Sequence, residues 1–205
     1  MKLGYNKKDS LLILESNNYK IGFSLDPDIR DLRKFFSFAK ELFKKQGLDA
    51  IYGVPNTVDE VSKDQTRDLY LHRVKEFIKN NIFSSNMWGK TSPAEGVEVD
   101  IVALDKAMTL SAFLVMAEGI RIFILPKYNE LKEGVLVPAE YPIVVGDGKL
   151  LSGISNIMDA KLIVLLSDVG SFSEKTGVAD VQEKKTLTIT ANKLNNIQAT
   201  EVVAL

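Results

Sequence analysis

Lys106-Ala107-Met108-Thr109-Leu110-Ser111-Ala112-Phe113-Leu114-Val115-Met116-Ala117-Glu118-Gly119 is the stretch on which the architecture turns. Alanine, methionine and leucine favour a helix over residues 106–118, and Gly119 stands where a helix cap belongs, just before the apolar run Ile120 to Leu125. The rival reading makes the same residues a strand of a hairpin turning at Glu118-Gly119. With a helix here, strands and helices alternate from residue 19 to residue 166. That order predicts an α/β fold, a layered and largely parallel sheet flanked by helices. With a strand here, the alternative is α+β. Propensity favours the helix, and α/β is the expectation.

Working outward towards the N-terminus, Val97 to Leu104 alternates apolar and acidic residues like a half-buried strand. Residues 83–95 are rich in loop formers around Met87 and Trp88. Thr57-Val58-Asp59-Glu60 is a capping box opening a helix over about 57–80. Asp26 and Pro27 suit the start of a helix over about 26–46, with Ile29, Leu32, Phe36, Ala39 and Phe43 in one stripe and Gly47 as its cap. Ser10 to Glu15 and Tyr19 to Leu25 form a hairpin, because Asn17-Asn18 tolerates the positive φ of a tight turn.

Towards the C-terminus, Pro142 to Val145 and Lys161 to Leu166 have strand length, and a helix is expected over about 149–158. Beyond Asp168 the chain turns polar. Thr186 to Thr190 with Ala199 to Ala204 reads as a closing antiparallel hairpin. The expected division is a single core domain over 1–170 and a β-rich extension over 171–205, packing on the core or on a neighbour.

Composition limits the chemistry. The 205 residues carry 26 basic and 27 acidic groups, no cysteine and one histidine, His72. Thiolate nucleophiles, disulfides and clusters of imidazole ligands are therefore excluded within one chain. No basic excess supports generic nucleic-acid binding, and no apolar run approaches the ~20 residues that span a bilayer. Residues 1–14 lack the apolar core of a secretory signal, so the expected home is the cytoplasm or a particle assembled there. Neither a cofactor nor a metal is expected. Asp100 and Asp105 flank a strand but match no calcium loop, and His72 lies among charged neighbours as a surface residue would.

The sharpest motif is Tyr141-Pro142-Ile143-Val144-Val145-Gly146-Asp147-Gly148-Lys149, a strand running into a glycine turn and a helix. Such turns can aim backbone N–H groups at phosphate, although Asp147 would put negative charge beside the anion. Gly146-Asp147-Gly148 resembles the opening of the thiamine-diphosphate motif, but the paired asparagines of that motif have no counterpart downstream. Lys20-Ile21-Gly22-Phe23-Ser24, Gly146-Asp147-Gly148-Lys149-Leu150-Leu151-Ser152 and Leu165-Leu166-Ser167-Asp168-Val169-Gly170-Ser171-Phe172 resemble three segments of the amino-acid kinases, glutamate 5-kinase especially. That resemblance implies a phosphotransferase whose ligand site includes Lys20, Gly22, Gly146, Asp147, Lys149 and Asp168. Lys149 replaces an acidic residue of the family's substrate loop.

No acid, base, nucleophile or metal constellation stands out otherwise. The leading expectation is therefore a non-catalytic structural or assembly subunit, such as a component of a viral or other oligomeric particle. Its partners would be copies of itself or other protein subunits, met through Phe83, Met87, Trp88, Leu187 and Ile189. The alternative is a small-molecule or nucleotide-binding enzyme, with the kinase-like phosphotransferase as one form of it.

Overall fold

The computed structural model describes residues 1–25, 32–53, 82–84, 89–104, 110–128, 131 and 134–205. They build two β-sheets stacked face to face. The six-stranded sheet contains β1 (Lys2–Asn6), β2 (Leu11–Ser16), β3 (Tyr19–Ser24), β4 (Ala50–Gly53), β5 (Ile82–Ser84) and β13 (Thr186–Thr188), ordered β13-β1-β2-β3-β4-β5. The eight-stranded sheet contains β6 (Gly89–Ala94), β7 (Val97–Ala103), β8 (Ser111–Ala117), β9 (Ile120–Ile124), β10 (Ile143–Asp147), β11 (Leu162–Ser167), β12 (Gln182–Glu183) and β14 (Glu201–Ala204), ordered β12-β14-β11-β10-β9-β8-β7-β6. Helices α1 (Leu32–Gln46), α2 (Gly148–Leu151), α3 (Val169–Thr176) and α4 (Ala191–Asn196) and a short 3₁₀ turn complete the described elements.

Strand alternation sorts the side chains into layers. Between the sheets, Leu12, Leu14, Ile21, Phe23 and Tyr52 from one side meet Val99, Phe113, Val115, Ile122, Val145 and Val164 from the other. The opposite faces of β9, β10, β11 and β14, bearing Phe123, Val144, Ile163, Leu165 and Val202, are covered by Leu150, Leu151, Ile157 and Phe172. Strands buried on both faces read as continuous apolar runs, which is why Leu162 to Leu166 carries no polar alternation. On the outer face of the six-stranded sheet, Leu11 and Ile51 pack under Ala39 and Leu42 of α1.

The α/β class stands, but the single largely parallel sheet becomes two mixed ones. Strands β9, β10, β11, β14 and β12 run parallel, and so do β3, β4 and β5; the pairings of β6 through β9 and of β13 through β3 are antiparallel. The deciding stretch is strand and not helix over Ser111–Ala117, turning at Glu118 (φ 53°) and Gly119 (φ 73°). Pairing on both sides, to β7 and β9, satisfies its backbone while Phe113 and Val115 enter the core. The helical preference of alanine and methionine, a few tenths of a kcal/mol per residue (~0.5), is overridden by that burial.

The expected helix over 149–158 contracts to α2 and a 3₁₀ turn at Ile157–Asp159, since Gly153 and the pairing of Asn156 with Val137 break it. The closing hairpin is also corrected. Strand β13 joins β1 in one sheet and β14 joins β11 in the other, with α4 between them, because Leu187, Ile189, Leu194 and Val203 all face the same core. Of the helix expected over 26–46, Leu32–Gln46 is helical, and 26–31 lies outside the described residues. The helix expected over 57–80, with His72, also lies outside them, as do Met87, Trp88 and Asp105.

Candidate functional site

Four strands end together. Leu25, just past β3, donates its N–H to Ser10 O (3.0 Å) and accepts from Lys127 N–H (2.9 Å) at the end of β9. Leu125 in turn donates to Val145 O of β10 (2.8 Å), and β10 runs parallel to β11. The carboxyl ends of β3, β9, β10 and β11 therefore form one rim spanning both sheets. Parallel strands place their loops, and commonly their ligands, at such an end.

The turn after β10 is built for close approach. A β-carbon at Gly146 would meet Leu125 O at 3.2 Å, and one at Gly148 would meet Asp168 O at 2.5 Å. Only glycine lets β10 pass so near the end of β11. Asp147 caps α2: its Oδ1 accepts from Leu150 N–H (3.2 Å), and its Oδ2 accepts from the Ser167 hydroxyl (2.5 Å). With only 6 % exposure, this carboxylate needs those donors, since an unpaired buried charge would be costly.

Asp168 differs. It is exposed, stands in the left-handed region (φ 51°, ψ 41°) at the start of α3, and makes no side-chain capping bond. Its carbonyl accepts from Phe172 N–H instead (3.2 Å). Ser10, also on the rim, has φ 46°. Non-glycine residues held at positive φ are strained and cluster where function demands them.

The structure brings Gly146, Asp147, Lys149 and Asp168 together at the rim, with Lys149 exposed on α2. It does not bring Lys20 or Gly22 there. Lys20 precedes Leu25 by five residues, about 16 Å along a strand. Its ammonium donates to Gln46 O (2.8 Å), closing the last turn of α1. Gly22 makes room for Leu48 and Leu11, whose methyls would lie 2.8 and 3.1 Å from a β-carbon there. Ser167, whose role is set by a partner twenty residues away, had no local signal in the sequence. Leu187 and Ile189 are each 1 % exposed and belong to the core between the sheets. Phe83 is in β5, paired with Tyr52.

No protein-family model and no curated protein matches the sequence. Among solved structures, the chain is similar to a Thermotoga maritima protein assigned to the Zn-dependent hydrolases of the metallo-β-lactamase superfamily. The identity is 14 %, 100 % of this chain and 98 % of that one are covered, and the TM-score is 0.56. It is also similar to the metallo-β-lactamase fold protein YhfI from Bacillus subtilis, with 8 % identity, 100 % and 96 % coverage and a TM-score of 0.51.

Two expectations are corrected by these findings. The whole chain shares its fold with proteins that include an assigned hydrolase, which overturns the structural or virion subunit; the residues offered for its docking tail, Leu187 and Ile189, are core. The kinase-like phosphotransferase also falls, because the fold is of another kind and Lys20 lies away from the glycine turn.

A zinc centre does not fit the donors present. Catalytic zinc takes three protein ligands drawn from histidine, cysteine and carboxylate, and its common sets need two or more histidines or thiolates. This chain has one histidine and no cysteine, and the described residues contain no group of three potential ligands. Asp147 at the rim already spends both oxygens on protein donors. What the likeness establishes is the architecture: a mixed α/β chain of two packed sheets with the metallo-β-lactamase-like fold.

Proposed function

We propose that the protein is a small-molecule enzyme of hydrolytic type, working at the strand-end rim without a zinc centre of its own. The observation that carries this reading is the convergence of four strand ends on a glycine turn beside Asp168, an exposed carboxylate held at strained backbone. A shared fold does not transfer a reaction, so the reading rests on the rim and takes only its reaction class from the assigned hydrolase.

Each residue then has a role. Asp168 is the candidate general base that takes a proton from an attacking water. Lys149, exposed on α2 two residues after Asp147, faces the anionic part of a substrate. Asp147 is a positioning residue: it fixes Ser167 and the start of α2, and so the spacing of the rim. Gly146 and Gly148 let the backbone of β10 approach. The proposed compartment is the cytoplasm; no described helix is long and apolar enough to cross a membrane.

The test is hydrolysis of a panel of chromogenic carboxylic esters, thioesters and phosphodiesters by chelator-treated protein of measured metal content. Turnover that survives chelation and falls about 100-fold or more in Asp168→Asn, the scale of a lost general base, is the expected result. Stoichiometric zinc whose removal abolishes turnover would overturn the proposal. So would the lack of any turnover across the panel.

A further inference from the structure

A second groove lies at the other end of the eight-stranded sheet. Arg121 is the second residue of β9, four residues before the rim residue Leu125, and Tyr141 precedes β10. Helices α2 and α3 cover the outer face over β9, β10, β11 and β14, while part of that face over β6, β7 and β8 is open as a groove. There the register lays down two rows. Glu98, Met116 and Arg121 stand side by side on β7, β8 and β9, and Lys90, Asp100 and Leu114 on β6, β7 and β8. Together with Glu140 and Tyr141 they enclose about 310 Å³, the size of a small-ligand site.

The charges in this groove are not all spent on one another. Lys90 reaches diagonally to Glu98 (2.5 Å), and among the described residues Asp100, its direct cross-strand partner, makes no ion pair. Among the described residues neither Arg121 nor Glu140 makes an ion pair. The Tyr141 hydroxyl feels Glu140, Arg121, Asp100 and Lys90. Its pKa is raised above the ordinary value by burial first, then by Glu140 and Asp100, against the opposing pull of Arg121 and Lys90. Half-buried Leu114 and Met116 form the apolar floor. The guanidinium-bearing Arg121 on β9 and the carboxylate-bearing Asp100 on β7, neither in an ion pair among the described residues, are two strands and two residues apart, about 12 Å, with that floor between them.

We propose that this groove is a binding site for a small zwitterion with an aliphatic body, of the amino-acid or dipeptide class. The ligand's carboxylate pairs with Arg121, its ammonium with Asp100 and Glu140, and its side chain lies on Leu114 and Met116. Arginine suits the carboxylate because its planar fork can donate twice, and Tyr141 offers the ammonium an aromatic wall. The site shares no residue with the rim, so it stands or falls independently of the hydrolase reading.

The probe is the dipeptide Leu-Leu, added to ¹⁵N-labelled full-length protein and followed by amide chemical shifts. Saturable shifts are expected at residues 98–101, 114–116, 121 and 140–141, with little change at 146–149 and 167–168. N-acetyl-Leu-Leu and Leu-Leu-amide each lose one charge and should bind at least tenfold more weakly, about 1.4 kcal/mol. Arg121→Gln and Asp100→Asn, both at the surface and outside the core, should each weaken Leu-Leu to a similar degree while keeping the wild-type spectrum elsewhere. Equal binding of the blocked peptides would overturn the proposal. No saturable shift in the groove with 10 mM Leu-Leu (~10 mM, far above the Kd of a weak but specific site) would do the same.

Discussion

Substituting Gly148 by alanine tests whether the turn after β10 is as tightly seated as its geometry implies. The new β-carbon would lie 2.5 Å from Asp168 O and 2.9 Å from both Asp168 C and Ser167 O. All three atoms are backbone, so no side chain can swing away to relieve the contact. Either the end of β10 or the start of α3 must move. Overpacking of this kind costs about 1–3 kcal/mol. For a chain of this length ~1 kcal/mol displaces Tm by about 2–4 °C, so a fall of about 2–12 °C is expected. Gly170→Ala supplies the control. Gly170 is exposed in α3 with nothing within 4 Å of its missing β-carbon. Alanine there should add about 0.5–1 kcal/mol by restricting the unfolded chain, raising Tm by about 1–4 °C. Urea unfolding followed by far-UV circular dichroism, with m unchanged, separates stability from changes in compactness. A Gly148→Ala protein as stable as wild type, beside a stabilised Gly170→Ala, would refute the packing argument.

Three further outcomes follow from particular contacts. Glu118 binds the N-terminal ammonium at 2.7 Å and accepts from the Ser16 hydroxyl at 3.0 Å, and these bonds, chiefly the first, lower its pKa. A lowered carboxylate pKa adds stability above the ordinary glutamate value, which is lost as pH falls through the folded one. Glu118→Gln should therefore cost about 0.5–1 kcal/mol at neutral pH, as a largely solvated pair does, and nothing in strong acid; thermal unfolding across pH 2–7 (a range of about five units around the glutamate value) checks both ends. Thr91 donates to Val99 O (3.1 Å), so the Tyr52 hydroxyl, 2.7 Å away, is the donor of their shared bond. Tyr52→Phe should cost about 0.5–1.5 kcal/mol in urea unfolding, and an unchanged midpoint would deny that the bond adds net stability. Asp147→Ala strips the cap from α2 and a partner from Ser167, for a loss of about 1–2 kcal/mol by the same method; a gain would show that the buried carboxylate is strained.

Local chemistry in this chain was legible and tertiary convergence was not. Asn17 and Asn18 adopt φ of 49° and 68°, as the paired asparagines of a tight hairpin imply. Gly47 ends α1 at φ 61°, and Gly146-Asp147-Gly148 leads a strand into a helix. The stretch over 106–118 misled because Ala112, Met116 and Ala117 have helical preferences, while their neighbours across β7 and β9 are invisible in a linear string. Likewise Leu187 and Ile189 look like an alternating edge strand free to dock elsewhere, and only the pairing of β13 with β1 shows that both point into the chain's own core. The rim was half readable: the glycine turn is contiguous, whereas Ser167 and Ser10 reach it from distant strands. Nothing local marks the groove, whose charges come from residues 90, 98, 100, 121 and 140 and meet only through strand register.

The pairing of β1 with β13 also sets a timetable for biosynthesis. Lys2 lies opposite Thr188, so β1 cannot find its outer neighbour until translation has advanced from Lys2 through Thr188. At about 5–20 residues per second, that wait lasts about 10–40 s. Throughout it, the nascent chain presents the open side of β1 as an unpaired edge, the kind of surface on which strands from other molecules can build.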